Sequence, residues 1–495
     1  MKKIFLYILG ILIFSSCDSL LDVKPQSSIT EAVYWQDESD FEPYLTGIYP
    51  FMRHFANNVT YGTERSEELV SAITSRFTAA WSQNISPNSA ALNYADWYRA
   101  IGHCNLLLEK IEGFQFASNP DLKKRILAET YSLRAYFYFH LTRIIGDTPL
   151  MLEAVTDVEV PLVPRSPAAD VIRQITADLD AAIAQFKSIG GFTPAMIPSK
   201  YRFSYAASQA LKADVKLWSA KVLGGGNADL NAAIEAINEV EKSGATLAAD
   251  FKTAANSRAA SNPEVLLAAF FLRDESTAAA GGVPATQHIS VNAFPDKRSV
   301  DGADNMDSIP YVATSANGLS AYQISPVSRA LFTNPADKRK PYTWVTERRG
   351  GQLKISWITK FTGTVYTDSR VADNDIPMYR LADIFLMKAE AYAALNQTTN
   401  AIEYLEKVRL RAGTGVYTGA TDKQSVEKEI LDERGRELFF ENKRWYDLVR
   451  FHKGGTIDIY AYVPNLIGKT TPLYWPLSTT VLANNSLIKQ TEGYK

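Results

Sequence analysis

Three groups of side chains have types and spacing that could do chemistry. The first is ILDERGRELFFENKRW, residues 430–445, where close carboxylates could serve as general acid and base. On a helical wheel Ile430, Leu431 and Leu438 share a face with Arg434, Glu437 and Glu441. Charges on a buried face need partners, because an unpaired one is strongly destabilising. The spacing therefore predicts ion pairing within the helix, Arg434 with Glu437 or Glu441, rather than catalysis. Arg444, Trp445 and Asp447 fall in the same packing unit. The second group is the histidines, at 54, 103, 140, 288 and 452; no pair has metal-ligand spacing, so no metal site is expected. The third is SRFTAAWSQNISPNS, where Trp81 stands beside Gln83 and Asn84, with Arg65 and Glu67 upstream in YGTERSEELV. A pyranose offers a flat C–H face to an aromatic ring and hydroxyls to amides, carboxylates and guanidinium groups. The neighbours of Trp81 are small or polar, so its indole is expected to be exposed.

These residues need a scaffold, and the sequence describes one. RLADIFLMKAEAYAALNQTTNAIEYLEKVRLRAG reads as a divergent tetratricopeptide pair. Ala389 and Ala401 let two helices approach, while Phe385, Tyr392 and Leu405 fill the space between them. Lys388 and Gly413 depart from the pattern. A second pair joins AETYSLRAYFYFHLTRI to AADVIRQITADLDAAIAQF across a Pro-rich insertion. A third joins ASQALKADVKLWSAKVL to LNAAIEAINEVEKSG, with Gly224 to Gly226 as helix terminators rather than a phosphate loop. PEVLLAAFFLRD reads as a buried strand, and residues 285–375 as a loop-rich, partly β region. The expected fold is mainly α: helix pairs with that region packed on them.

The chain has 495 residues, 46% hydrophobic and 21% charged, with a formal net charge of -2. That is a globular profile with no basic face for nucleic acid. MKKIFLYILGILIFSSC has a positive start, an apolar run and small residues before Cys17. The run is shorter than the roughly 20 residues that span a bilayer. It resembles a bacterial lipoprotein signal, with Phe14 where that pattern usually has Leu. The resemblance implies cleavage before Cys17 and lipidation there, a tether without a membrane span. Cys104 is then the sole remaining cysteine, so neither an intrachain disulfide nor a cysteine metal site is expected. Its place at helical spacing with Trp97, Ile101 and Leu108 reads as core.

Several stretches together resemble the SusD/RagB family of outer-membrane nutrient-binding lipoproteins. They are CDSLLDVKPQSSITEAVYW, AETYSLRAYFYFHLTRIIGDTPL, NDIPMYRLADIFLMKAEAYAAL with KVRLRAG, EKEILDERGRELFFENKRWYDLVRF, and the ending YWPLSTTVLANNSLIKQTEGY. The resemblance implies a signal peptide over 1–16, an N-terminal helical region over 17–280 and a C-terminal region over 281–495. It implies a non-enzymatic, cell-surface glycan-binding protein without cofactor, which hands its ligand to a TonB-dependent, SusC-like transporter. The alternatives are a peptide-binding member of the family and a lipid-anchored glycoside hydrolase. The family's ligand surface combines the N-terminal loop region with loops of the C-terminal half. That nominates Trp81, Asn84, Arg65 and Glu67, and by location Phe294, Asp296 and Tyr311.

Overall fold

The computed structural model describes residues 34–495 apart from 57, 72–77, 156–159, 192–198, 257, 274, 276–301, 304–321, 350–351, 362, 368–369 and 372. Cys17, Phe294, Asp296 and Tyr311 therefore lie outside the described residues.

The scaffold is helical. Its first two helices are α1 (Phe41–Ala56) and α2 (Ala95–Gly113). The long α3 (Pro120–Ile145) starts at a proline behind Asn119, whose side chain accepts from the Leu122 N–H. It packs along α4 (Ala168–Ser188) over its length. Helix α5 (Tyr205–Val222) is capped by Ser204 and pairs with α6 (Gly226–Glu241). Helix α7 (Leu381–Ala394) pairs with α8 (Thr398–Ala412), which ends at Gly413 with φ 80°. An alanine Cβ at Gly413 would lie 3.0 Å from the Ala336 carbonyl oxygen. Helices α9 (Lys423–Glu437, capped by Asp422) and α10 (Arg444–Lys453) follow.

All three pairs read from the sequence form. In α7–α8, Ala389, Ala401 and Leu405 are fully buried, while Phe385 and Tyr392 are half-buried against Tyr404, with ring centroids 5.7 and 5.9 Å away. One core runs through all these helices, taking in Cys104, Phe137, Trp218, Met387, Trp445 and Trp475. Burial pushes the Cys104 thiol pKa well up, so it stays a neutral core group. Among the described residues no helix is long and apolar enough to cross a membrane.

Short strands stitch distant segments together. Here β1 is Leu69–Ser71, β2 Val265–Ala269, β3 Tyr322–Ile324, β4 Trp344–Arg349, β5 Gln352–Ile358 and β6 Ile376–Arg380. Strand β2 is buried along its whole length, as its apolar run predicts, and pairs antiparallel with β6. Strand β1 pairs with β3, Leu69 opposite Ile324, which ties the N-terminal loop to the C-terminal half. Strands β4 and β5 form a hairpin.

Candidate functional site

The acidic motif of α9 is buried, as its wheel predicts, but its pairing runs between elements. Arg434 meets Asp383 of α7 and Asp447 of α10, each at 2.9 Å, and neither Glu437 nor Glu441. Glu437 instead takes Arg380 (2.5 Å), Arg339 (3.1 Å) and Arg411. Glu441 takes Arg380 (2.8 Å) and Lys360 (2.7 Å). The physical reason is reach. The helix ends at Glu437, so Glu441 lies past it in a turn and off the face that carries Arg434, and the guanidinium arms that meet both carboxylates arrive from other elements. The web is nearly dry, and surrounding cations hold the Glu437 and Glu441 carboxyls below the usual range despite burial. Carboxylates locked this way are ionised and unavailable for acid catalysis.

The N-terminal loop is built differently. Arg65 is fully buried and its guanidinium lies 4.1 Å above the Trp445 ring. Its Nε donates to Gln83 Oε1 (3.0 Å), Nη1 to Leu473 O (2.8 Å) and Nη2 to Pro472 O (2.7 Å). Gln83 returns a bond from Nε2 to Arg65 O at 2.8 Å. All these partners are neutral, and burial brings the Arg65 pKa down to about 10. Glu67 is also buried, its carboxylate held by Arg444 at 2.6 Å. The expectation that Arg65 and Glu67 touch ligand is therefore corrected: both are internal braces. The backbone hides them because the segment Thr60–Glu64 is a single wide π-helical turn packed against α10 and the C-terminal loop. Two neighbouring carboxyls are held well above the ordinary carboxylate range. Burial raises Glu64 to about 7, and burial with the adjacent Glu67 charge raises Glu68 to about 8.

On this braced frame sit the other two nominated residues. Trp81 is half-buried, where exposure was expected, because its indole Nε1 donates to Leu69 O at 2.9 Å. Asn84 is exposed. Gln83 between them has φ 58° and turns inward to Arg65, which throws Trp81 and Asn84 outward on either side. The sequence missed the segment that faces them. Asn465 Nδ2 donates to Trp81 O (2.9 Å), and Lys469 Nζ reaches Ser82 O and Asn84 Oδ1 (3.3 Å). Ile467, 63% exposed, crowns this turn. An apolar pair, Leu466 and Ile467, among Pro, Asn, Gly and Lys in PNLIGK was the available signal. The result is a surface of one indole, two amides, an ammonium and an apolar tip. It suits a ligand with one flat apolar face and many hydroxyls. The histidines are scattered, and among the described residues no cluster could hold a metal ion.

The comparisons with known proteins cover both halves. Residues 345–494 match the model of the SusD family, and residues 19–215 match one described as starch-binding, associating with outer membrane. A SusD-like protein of Formosa agariphila is 24% identical over 99% of this chain and 98% of its own length. The starch-binding protein SusD of Bacteroides thetaiotaomicron is 33% identical over 139 residues, 25% of this chain and 22% of that one. The solved structure of NanU from B. fragilis superimposes with a TM-score of 0.80 at 26% identity, covering 96% of this chain and all of that one.

Proposed function

This chain belongs to the SusD/RagB family, and from that premise we propose that it captures oligosaccharide at the cell surface and passes it to a TonB-dependent transporter. The family is a helical, non-catalytic, glycan-binding one that associates with the outer membrane, and this chain shares that character. That non-catalytic character rules out the glycoside-hydrolase alternative, and the locked carboxylates of Glu437 and Glu441 agree.

The observation that carries the finer reading is the surface around Trp81. A half-exposed indole and an exposed amide are held by a buried Arg65–Gln83 frame, so their spacing is fixed before ligand arrives. Such preorganisation lowers the entropic cost of binding a flexible sugar chain. Trp81 stacks on the pyranose, while Asn84 and Lys469 bond its hydroxyls. Phe294, Asp296 and Tyr311 stay nominated as contributors from the loop-rich region. Lipidation at Cys17 would hold the protein at the membrane. Purification from native membranes in mild detergent should bring down a large β-barrel with the protein. Recovery of free monomer in every detergent, together with no retention on any soluble glycan, would overturn the reading.

A further inference from the structure

A cavity of about 960 Å³ opens between the end of α10, the turn after α3 and the C-terminal tail. It lies at the upper end of the roughly 300–1,000 Å³ typical of small-molecule sites. It shares with the Trp81 surface only the Pro472–Leu473 stretch, whose carbonyls Arg65 holds. We propose that this groove is a second saccharide-binding site, distinct from the Trp81 surface and resting on the glycan-binding reading of the chain.

The tail builds its wall rigidly. Gln490 clamps the Leu477 backbone, accepting from its N–H and donating to its carbonyl, both at 2.8 Å. Gly493 has φ 89° and packs so closely that a Cβ there would lie 2.5 Å from Pro472 Cγ. Tyr494 Oη donates to Tyr474 O at 3.1 Å. Across the groove Tyr474 lies against Gly146, where an added Cβ would meet its ring at 3.3 Å. Tyr460 faces in as well, its ring edge-on to His452 at 5.9 Å.

The polar groups left over decide the ligand class. The Tyr474 hydroxyl has no protein partner among the described residues, and the same holds for the Lys489 ammonium and His452 Nε2. They offer donors and acceptors next to two aromatic rings and Leu487. On the backbone, the carbonyls of 472, 473 and 474 each already accept a bond from Arg65 or Tyr494. A peptide adding as a strand would need a run of free backbone groups, and on this wall three successive carbonyls are taken. A sugar needs ring faces and side-chain polar groups, and the groove supplies both.

The test uses the full chain and an array of soluble oligosaccharides that includes maltoheptaose and laminarihexaose. Tightest binders are titrated against wild type, Trp81→Ala, Tyr474→Phe and the double variant His452→Ala with Lys489→Ala. Tyr474→Phe keeps the ring packed on Gly146 and removes only the hydroxyl. Tyr474→Phe should lose about threefold to tenfold in affinity with unchanged melting, and the folded fraction of the double variant should lose as much. Groove variants equal to wild type, with Trp81→Ala alone impaired, would overturn the groove and leave the glycan reading standing. No binding to any saccharide of the array would overturn both.

Discussion

Replacing Arg65 with methionine separates a brace from a ligand contact. Methionine retains most of the stem volume but lacks the guanidinium. Gln83 Oε1, Leu473 O and Pro472 O then lose their donor. Each buried acceptor left unpaired costs about 1–3 kcal/mol. Relief from burying a cation with no carboxylate partner offsets several kcal/mol of that. The net loss comes to about 3 kcal/mol. At ~2.1 cal/mol/K of unfolding entropy per residue, a chain of 495 residues changes by about 1 kcal/mol per degree. Melting by calorimetry should therefore fall by about 3 °C, and Gln83→Ala should be coupled to it by more than about 1 kcal/mol in a double-mutant cycle. Glycan affinity of the folded fraction should drop only modestly, as the frame loosens. Unchanged melting with affinity abolished would refute the brace and return Arg65 to the ligand.

Arg434→Ala leaves Asp383 to Lys443 and Asp447 to Arg450, so it should cost the lower end of the roughly 3–5 kcal/mol of a broken buried pair in urea unfolding; Asp383→Asn on top should recover part of it, and an additive result would show that the pair is not coupled. Glu68 has a folded pKa of about 8 against an ordinary 4.5, so the folded state keeps a proton that the unfolded chain releases. Its contribution to stability is complete below about 4.5 and drains as pH rises towards 8. Glu68→Gln, permanently neutral, should remove that slope and exceed wild type in melting temperature at the alkaline end; parallel pH curves for the two proteins would contradict the assignment. Cys17→Ala should move the protein from the membrane to the soluble fraction on cell fractionation, and unchanged membrane retention would remove the lipid tether.

Helix pairing was legible because it is local: small and large residues at fixed spacing in Ala389, Ala401 and Leu405 dictate a close antiparallel pair. The burial of α9 was legible for the same reason. Its partners were not. Arg434 finds Asp383 and Asp447, 51 and 13 positions away in sequence, and periodicity within one helix carries no information about what another helix brings. The candidate site divided along the same line. Trp81 and Asn84 stood out by composition, but the inward turn at Gln83, which buries Arg65, depends on carbonyls some 400 positions away. Glu67 fails likewise, because Arg444 is its partner only in the folded chain. The tail motif, read as a family ending, gains a physical role: Gln490, Gly493 and Tyr494 lock the last residues against 472–477.

The central claim is that the Trp81 surface holds sugar. Its most direct test is calorimetric titration of Trp81→Ala with the oligosaccharide that wild type binds most tightly, alongside a melting curve of each protein. Central aromatic anchors cost about 2 kcal/mol or more on truncation, a loss of affinity of about thirtyfold. The indole also bonds Leu69 O, so melting should fall slightly, by no more than a few degrees. A thirtyfold weaker, otherwise folded protein is the predicted result. Sharply lowered melting with intact affinity in the folded fraction would make Trp81 a core residue and place the sugar elsewhere.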